Sequence, residues 1–386
     1  MFYGERVRQV REMHRITQQA LVEMVPTLTQ SRLSRIESDL AEPDSETIAL
    51  LSATLGVTGE FFSRPPIPGL AAHSPQLRAR SRLTQREKTS ALQWARLINE
   101  AYQRLKQTAK PLPVRLEPAD QSTPQAAARA LRTRLGFGAN EPLPYLLLAV
   151  ERLGVTILGI PQSTDALDAF CAWQHQTPVI GVLGNVPGDR LRFSVAHELG
   201  HLILHRDKKP GLQFEREADE FAAELLTPLD AVRHSMPSKI TLSSLTMLKT
   251  QWGVSIKALI RRARELEAID QEKAISLYKQ ISARGWNKAE PGYVPREKPR
   301  ALRKLIEISY GPGVSVERLA SDAGWSHELT LQILNEHATP EELPFHPPPA
   351  SHQEYDNVVD LRPRSGPQPP SSVKTLTRSP RRHRSF

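Results

Sequence analysis

Two histidines four residues apart, with a glutamate between them, are the residues of this chain whose types and spacing most directly suit chemistry. They lie in Phe193-Ser-Val-Ala-His197-Glu198-Leu-Gly-His201, an H-E-x-x-H pattern. At about 100° per residue on a helix, His197 and His201 fall within about 40° of each other, so both imidazoles reach one ion and Glu198 lies beside them. Leu191, Val195, Leu199, Leu202 and Ile203 take the opposite sector, which buries that stripe and leaves the histidine face lining a cleft. A hydrolytic zinc takes three protein ligands and keeps a fourth position for water, so a third donor is required. With a single cysteine, Cys171, the chain cannot supply paired thiolates and must use carboxylates.

The stretch Glu215-Arg-Glu-Ala218-Asp219-Glu-Phe221-Ala222 offers them. Glu215 and Asp219, four apart, share one face of a second helix whose apolar residues are Phe221, Ala222, Leu225 and Leu226, and a short connection containing Lys208-Lys209-Pro210-Gly211 turns it back on the first. Glu215 is the expected third ligand, with Glu217 as the alternative. Asp219 is expected to accept the free ring N–H of a ligating histidine and so fix its tautomer. His205 continues the histidine row by one turn and is expected to hydrogen-bond near the site rather than ligate. One Zn2+ per chain, held this way, would lower the pKa of its water to about 7, and Glu198 would take the proton as that water attacks a carbonyl. The expected reaction is peptide-bond hydrolysis.

Residues from about 125 to 260 resemble the ImmA/IrrE family of metallopeptidases, in RFSVAHELGHLILH, in EREADEFAAELLTP and in the strand pair around Pro178-Val-Ile-Gly-Val. The resemblance favours Glu215 over Glu217, because the first glutamate of an E-x-x-A-D arrangement binds metal in similar peptidases. It implies an endopeptidase acting on a regulatory protein, commonly a helix-turn-helix repressor. It also implies that the strand Val179 to Leu183 binds substrate along its edge, where unpaired N–H and C=O groups are available.

A second constellation lies near the start of the chain. In Arg15-Ile16-Thr17-Gln18-Gln-Ala20-Leu21-Val-Glu-Met24-Val25, Thr17 caps a helix that turns Ala20, Leu21 and Met24 inward. A following helix buries Leu33 and Ile36 and presents Gln30, Ser31, Arg32 and Arg35, side chains suited to reading the major groove. Residues 4 to 62 resemble the helix-turn-helix domain of the XRE and phage-repressor family. That resemblance implies that Gln18 contacts phosphate, that Gln30, Ser31 and Arg35 meet base edges of double-stranded DNA, and that Arg11 pairs with Glu37. Two features depart from it: the turn Val25-Pro26-Thr27-Leu28-Thr29 lacks glycine, and the segment has six basic residues against nine acidic ones. The run Ser315 to Gly324 has similar spacing, but without basic residues on the following helix it reads as ordinary helical packing.

The elements that must position these groups form a multidomain chain, mainly α with an α+β core. The expected order is an all-α helix-turn-helix domain at 1–64 and a linker at 65–122 with a long amphipathic helix from about Leu83 to Gln107. A zincin-like α+β peptidase domain at 123–270, with strands near 154–160, 169–173 and 179–183, then precedes C-terminal helices at 271–340 and a disordered Pro/Arg-rich tail at 341–386. The formal charge is +9, but residues 361–386 hold seven basic residues and no acidic ones, so charge by itself says little about DNA. No apolar run approaches the ~20 residues of a membrane span, and the charged start MFYGERVRQV argues against export, so a cytoplasmic location without membrane contact is expected. A homodimer is compatible with such a DNA reader. Two other readings use the same residues: a zinc-containing transcription factor that cuts nothing, and a peptidase whose N-terminal domain docks protein partners.

Overall fold

Ten of the sixteen described α-helices start at a residue whose own side-chain oxygen accepts from an unpaired N–H of the first turn. The computed structural model describes residues 1–70, 83–109, 113–119, 123–164, 166–206, 211–311 and 313–338. Helix α1 (Gly4–Met13) is followed by α2 (Gln18–Met24), α3 (Gln30–Glu37) and α4 (Ser45–Leu55), the last three capped by the side chains of Thr17, Thr29 and Asp44. Gly56, at φ +70°, ends α4 in the left-handed conformation that glycine adopts without strain. None of residues 25–29 between α2 and α3 has positive φ, so the missing glycine is not needed there. A 3-10 turn (Gly59–Ser63) closes this region.

The long helix expected next is α5 (Gln85–Thr108), opened by a reciprocal capping box between Thr84 and Glu87. Helices α6 (Pro124–Arg134) and α7 (Leu146–Arg152) lead to three strands, β1 (Thr156–Ile160), β2 (Ala169–Gln174) and β3 (Thr177–Leu183). There follow α8 (Gly188–Leu204), α9 (Leu212–Leu226), α10 (Leu229–Ser235), α11 (Leu242–Trp252), α12 (Ile256–Glu265) and α13 (Gln271–Ala283). The described chain finishes with α14 (Ala301–Tyr310), α15 (Val316–Ala323) and α16 (His327–His337). The fold is thus mainly helical around a small mixed sheet. The tail at 341–386, and residues 71–82 and 207–210 of the connections, lie outside the described residues.

Sheet order corrects one expectation. The order is β1-β3-β2, with β1 parallel and β2 antiparallel to β3. Val179 to Leu183 therefore lies at the centre, and its backbone groups are spent on both neighbours, leaving no edge for a substrate. On the outer side of β1, the Gly159 N–H donates to Nε2 of His337 at 3.0 Å, so that edge is engaged by α16.

The alternation of side chains across the sheet separates two hydrophobic cores. Ile157, Ala169, Cys171, Ile180 and Val182 face the core that also contains Leu191, Val195, Leu199, Phe221 and Leu225 of α8 and α9. Leu158, Ile160, Phe170, Ala172, Val179 and Leu183 face the other, which continues through α5 and α14–α16 into Leu21, Leu33 and Ile36 of the N-terminal helices. Buried polar groups bind the N-terminal helices to α5: Arg6 donates to both carboxylate oxygens of Glu100, at 2.6 and 2.7 Å, and Ser90 Oγ donates to the Met13 carbonyl at 2.6 Å. The segment that reads as an ordinary helical pair, α15 and α16, packs on the same region. Thr58 N–H donates to the Gly324 carbonyl and Ser326 N–H to the Gly56 carbonyl, both at 2.9 Å.

Candidate functional site

Helix α8 carries His197, Glu198 and His201, and α9 crosses it closely. The approach depends on Gly200: a Cβ there would lie 3.1 Å from the Phe221 ring and 3.3 Å from Cα of Ala218. A side chain there would crowd the Phe221 ring and the backbone of α9, the helix that carries the carboxylates. The N-terminal half of α8 is pinned by Arg190, which donates to both oxygens of Asp168 at 3.1 and 2.5 Å, and by Asp189, which accepts from Lys249 at 2.7 Å.

Three donor atoms converge at this crossing. Nε2 of His197 and Nε2 of His201 are 3.2 Å apart, and the Glu215 oxygens lie 3.6 and 3.7 Å from them respectively. For a tetrahedral ion with bonds of about 2.0–2.1 Å, ligand atoms sit about 3.3–3.4 Å apart. The triangle is of that size, and within the described residues these three side chains form the cluster able to hold a metal ion.

Hydrogen bonding fixes what each ring offers. His197 Nδ1 lies 2.8 Å from Oδ1 of Asp219, so Nδ1–H donates to the carboxylate and Nε2 keeps its lone pair. His201 Nδ1 lies 3.0 Å from Nδ1 of His205, whose Nε2 is 2.8 Å from Oε2 of Glu217. Running from Glu217, the chain of donors is His205 Nε2–H and then His201 Nδ1–H, which leaves Nε2 of His201 as an acceptor too. With both rings neutral, two lone pairs 3.2 Å apart beside a carboxylate and largely excluded from water call for a cation or a proton between them. The two rings differ in charge preference. Burial and its two histidine neighbours drive the His201 pKa down to about 2, keeping it neutral as a ligand must be. Burial also opposes charge on His197, but hydrogen bonds to Asp219 and Glu215 outweigh it and raise the pKa to about 9, so a proton competes with a cation for that ring.

Glu198 lies beside His197, whose charge it favours, but is not one of the three donors, and it is almost wholly buried, at 1 % exposure. The thiol of Cys171, on β2, hydrogen-bonds to it, and burial together with the Glu198 charge pushes the thiol pKa well above its usual range. Nothing in the sequence ties Cys171 to Glu198; the link needs the strand that faces α8. Glu217 also holds a place that spacing does not reveal, since it reaches His205 and not the donor triangle. Arg261, from α12, comes within 3.8 Å of Asp219.

The residues expected to contact DNA lie on α2 and α3. Gln30, Ser31 and Arg35 are exposed, and Arg32 is partly exposed. Arg32 donates to Asp44 at 2.7 Å. The Gln18 amide nitrogen donates to Glu37 at 2.8 Å, and Arg11 donates to both oxygens of the same carboxylate at 2.6 and 2.9 Å. Glu37 is thereby the internal brace of the helix pair, as the family resemblance implies for its partner Arg11.

Comparison with known families agrees with both regions. Residues 7–62 match the family described as helix-turn-helix, and residues 150–264 match that of the IrrE N-terminal-like domain, a peptidase M78 family. No curated protein gives a significant match. The chain therefore joins an XRE-type helix-turn-helix domain, the mark of a DNA-binding regulator, to an ImmA/IrrE-like domain with a zinc-peptidase-like fold. Among the described residues, no helix is long and apolar enough to cross a membrane.

Proposed function

We propose that this chain is a cytoplasmic transcriptional regulator whose zinc-dependent endopeptidase site cuts a regulatory protein, either a helix-turn-helix repressor or its own chain. One observation carries the reading: the Nε2 lone pairs of His197 and His201 and the Glu215 carboxylate meet in a triangle sized for one zinc ion. Zinc bound there supplies a Lewis acid for a substrate carbonyl and makes water acidic enough to attack it near neutral pH. Glu198, buried beside the donor triangle, takes the proton of the attacking water and hands it to the departing amine. Asp219 holds the His197 ring, and the Glu217–His205 pair holds the His201 ring, so that neither has to reorganise during the reaction. Among the described residues an extended substrate has one sheet edge to join. With β3 central and β1 engaged by His337, that edge is β2, the strand whose Cys171 already reaches Glu198. On the other side, Gln30, Ser31 and Arg35 face the major groove of double-stranded DNA, which a homodimer would read as paired half-sites.

The test is purified protein with zinc content measured alongside cleavage of a helix-turn-helix repressor encoded next to it. Wild type should hold about one zinc and cut the repressor, while Glu198→Gln should hold the metal and leave the repressor intact. Cleavage at the wild-type rate by that variant removes Glu198 from its role. Zinc-dependent operator binding with no cleavage of any such repressor, or of the chain itself, would favour a zinc-containing transcription factor instead.

A further inference from the structure

We infer that the first turn of α5, outside the helix-turn-helix segment, completes the DNA-binding surface by setting Arg86 beside Arg15 against the phosphate backbone. This rests on the DNA-binding reading above and adds a contact site to it. The need for such a site is electrostatic. Residues 4–62 hold six basic and nine acidic side chains, and most of those cations are already committed. Arg6 is bound to Glu100, Arg11 to Glu37 and Arg32 to Asp44, while Arg8 lies 3.8 Å from Glu37. Affinity for duplex DNA comes mainly from cations that meet phosphates and release counterions. A segment with this balance must draw them from a neighbour.

Geometry supplies the neighbour. A cleft of about 490 Å3 opens where the end of α1 and the starts of α2 and α3 face the start of α5. Arg11, Arg15, Gln18 and Gln30 line one side, and Gln85 and Arg86 the other. Gln30 is the first residue of α3, so the cleft runs directly into the groove-reading helix. In this class of domain the second helix of the pair enters the major groove and the first crosses the backbone, which sets the mouth of the cleft over flanking phosphates. Acidic groups nearby are tied down. Glu12, the acid that lines the cleft among the described residues, accepts from Gln93 at 2.8 Å. Glu87 accepts from the Thr84 N–H at 2.9 Å and from the Thr164 hydroxyl at 3.1 Å, and lies near Arg15.

Arg86 is exposed, yet its helix is not free to drift. Successive turns of α5 are bonded to α1 by Ser90 to the Met13 carbonyl at 2.6 Å, Gln93 to Glu12 at 2.8 Å and Arg96 to Glu5 at 2.7 Å. The spacing between Arg86 and Gln30 is therefore fixed before DNA arrives, and the cation is presented without an ordering cost for the helix that carries it.

The experiment uses the full chain and a duplex of about 24 base pairs selected from a random pool by the wild-type protein, with the dissociation constant followed over a range of KCl. Arg86→Ala should weaken binding about 8-fold at about 100 mM salt and flatten the log–log salt slope by about 0.9, the signature of one lost phosphate contact. Combining it with Arg15→Ala should cost about 60-fold and twice the slope, and Arg86→Lys, which keeps the charge, should restore most of both. Lys279→Ala, on the exposed face of α13, is the control that should change neither. Unchanged affinity and slope in the double variant, while Arg35→Ala still weakens binding, overturns this inference and leaves the DNA reading standing. Failure of the wild-type chain to bind any duplex at low salt overturns both.

Discussion

The candidate metal site and the proposed DNA-facing surface are built on opposite principles. Around the donor triangle each histidine is buried and bonded on its far nitrogen, so the chemistry is set by lone pairs whose direction the surrounding side chains fix. On α3 the side chains expected to read bases are exposed and loosely held, and what they achieve depends on charge summed over a surface. A site of the first kind can be written in two short segments, because helical periodicity aligns its donors. One of the second kind is assembled from whatever the rest of the fold brings alongside, here α5 and the C-terminal helices.

The largest effect should come from dismantling the buried site. Glu198→Gln should reduce cleavage of the cognate repressor by about 10^2- to 10^4-fold, the range for losing a general base, with zinc content unchanged. Glu215→Ala should instead lose the zinc itself, because two imidazoles on one helix are left to hold it. Metal analysis on the same samples as the cleavage assay separates the two. If Glu215→Ala keeps a full zinc equivalent, the contrast between a tightly specified site and a diffuse surface fails at its stronger end.

Next in size is the joint between the regions. Arg6 is fully buried and its guanidinium meets Glu100, so Arg6→Ala strands a carboxylate in the interior with Arg104 as its remaining partner. Breaking a buried pair from one side costs about 3–5 kcal/mol. Because one core runs from Leu33 through α5 to Val179 on the sheet, the loss should appear as a shift of a single cooperative unfolding transition by urea. Two separated transitions would mean that the N-terminal helices are a module merely resting on the peptidase region.

How much of this is legible in the sequence follows the same divide. His197, His201, Glu215 and Asp219 could be placed from spacing, since each pair is four residues apart and a helix turns that interval into one face. The cap at Thr17 and the three strands were readable for similarly local reasons. Strand order was not: a hydrophobic run such as Val179 to Leu183 reads the same at an edge as in the centre, and the parallel partner of β3 is separated from it by β2. Cys171 at Glu198, Glu217 at His205 and Ser90 at Met13 also escape sequence reasoning, because each joins elements whose facing is decided by tertiary packing.

His337 sits on the seam between the regions and gives a pH test of it. Its Nε2 accepts from the Gly159 N–H and its Nδ1–H donates to the Ile333 carbonyl, so the ring must stay neutral. Burial lowers its pKa from 6.5 to about 4. A folded-state value below the unfolded one contributes stability that is present above pH 6.5 and is lost as pH falls toward 4. Over that interval the loss is about 3 kcal/mol. Unfolding of wild type should therefore become easier through this window, and His337→Gln, which can pair with the same two backbone groups but cannot titrate, should follow a flatter curve. Parallel pH curves for the two proteins would show that α16 does not depend on a neutral ring against β1.

The finest test grades the supports of the metal site by their distance from the metal. Asp219 touches a proposed ligand directly, through the 2.8 Å contact to His197. Glu217 touches His201 through His205, one hydrogen bond further away. Outer supports of this kind typically contribute about 10- to 100-fold in metal affinity, by holding the ring at the right tautomer and angle. Asp219→Asn should thus weaken zinc binding by about 100-fold in competition with a chelator, and Glu217→Gln by about 10-fold. Asp219 is partly open to solvent and Glu217 partly buried, so both variants should fold. The order matters more than either magnitude: a relay in which His205 merely fills space predicts no change for Glu217→Gln, and equal losses would mean that both carboxylates act through the summed field and not through the rings they orient.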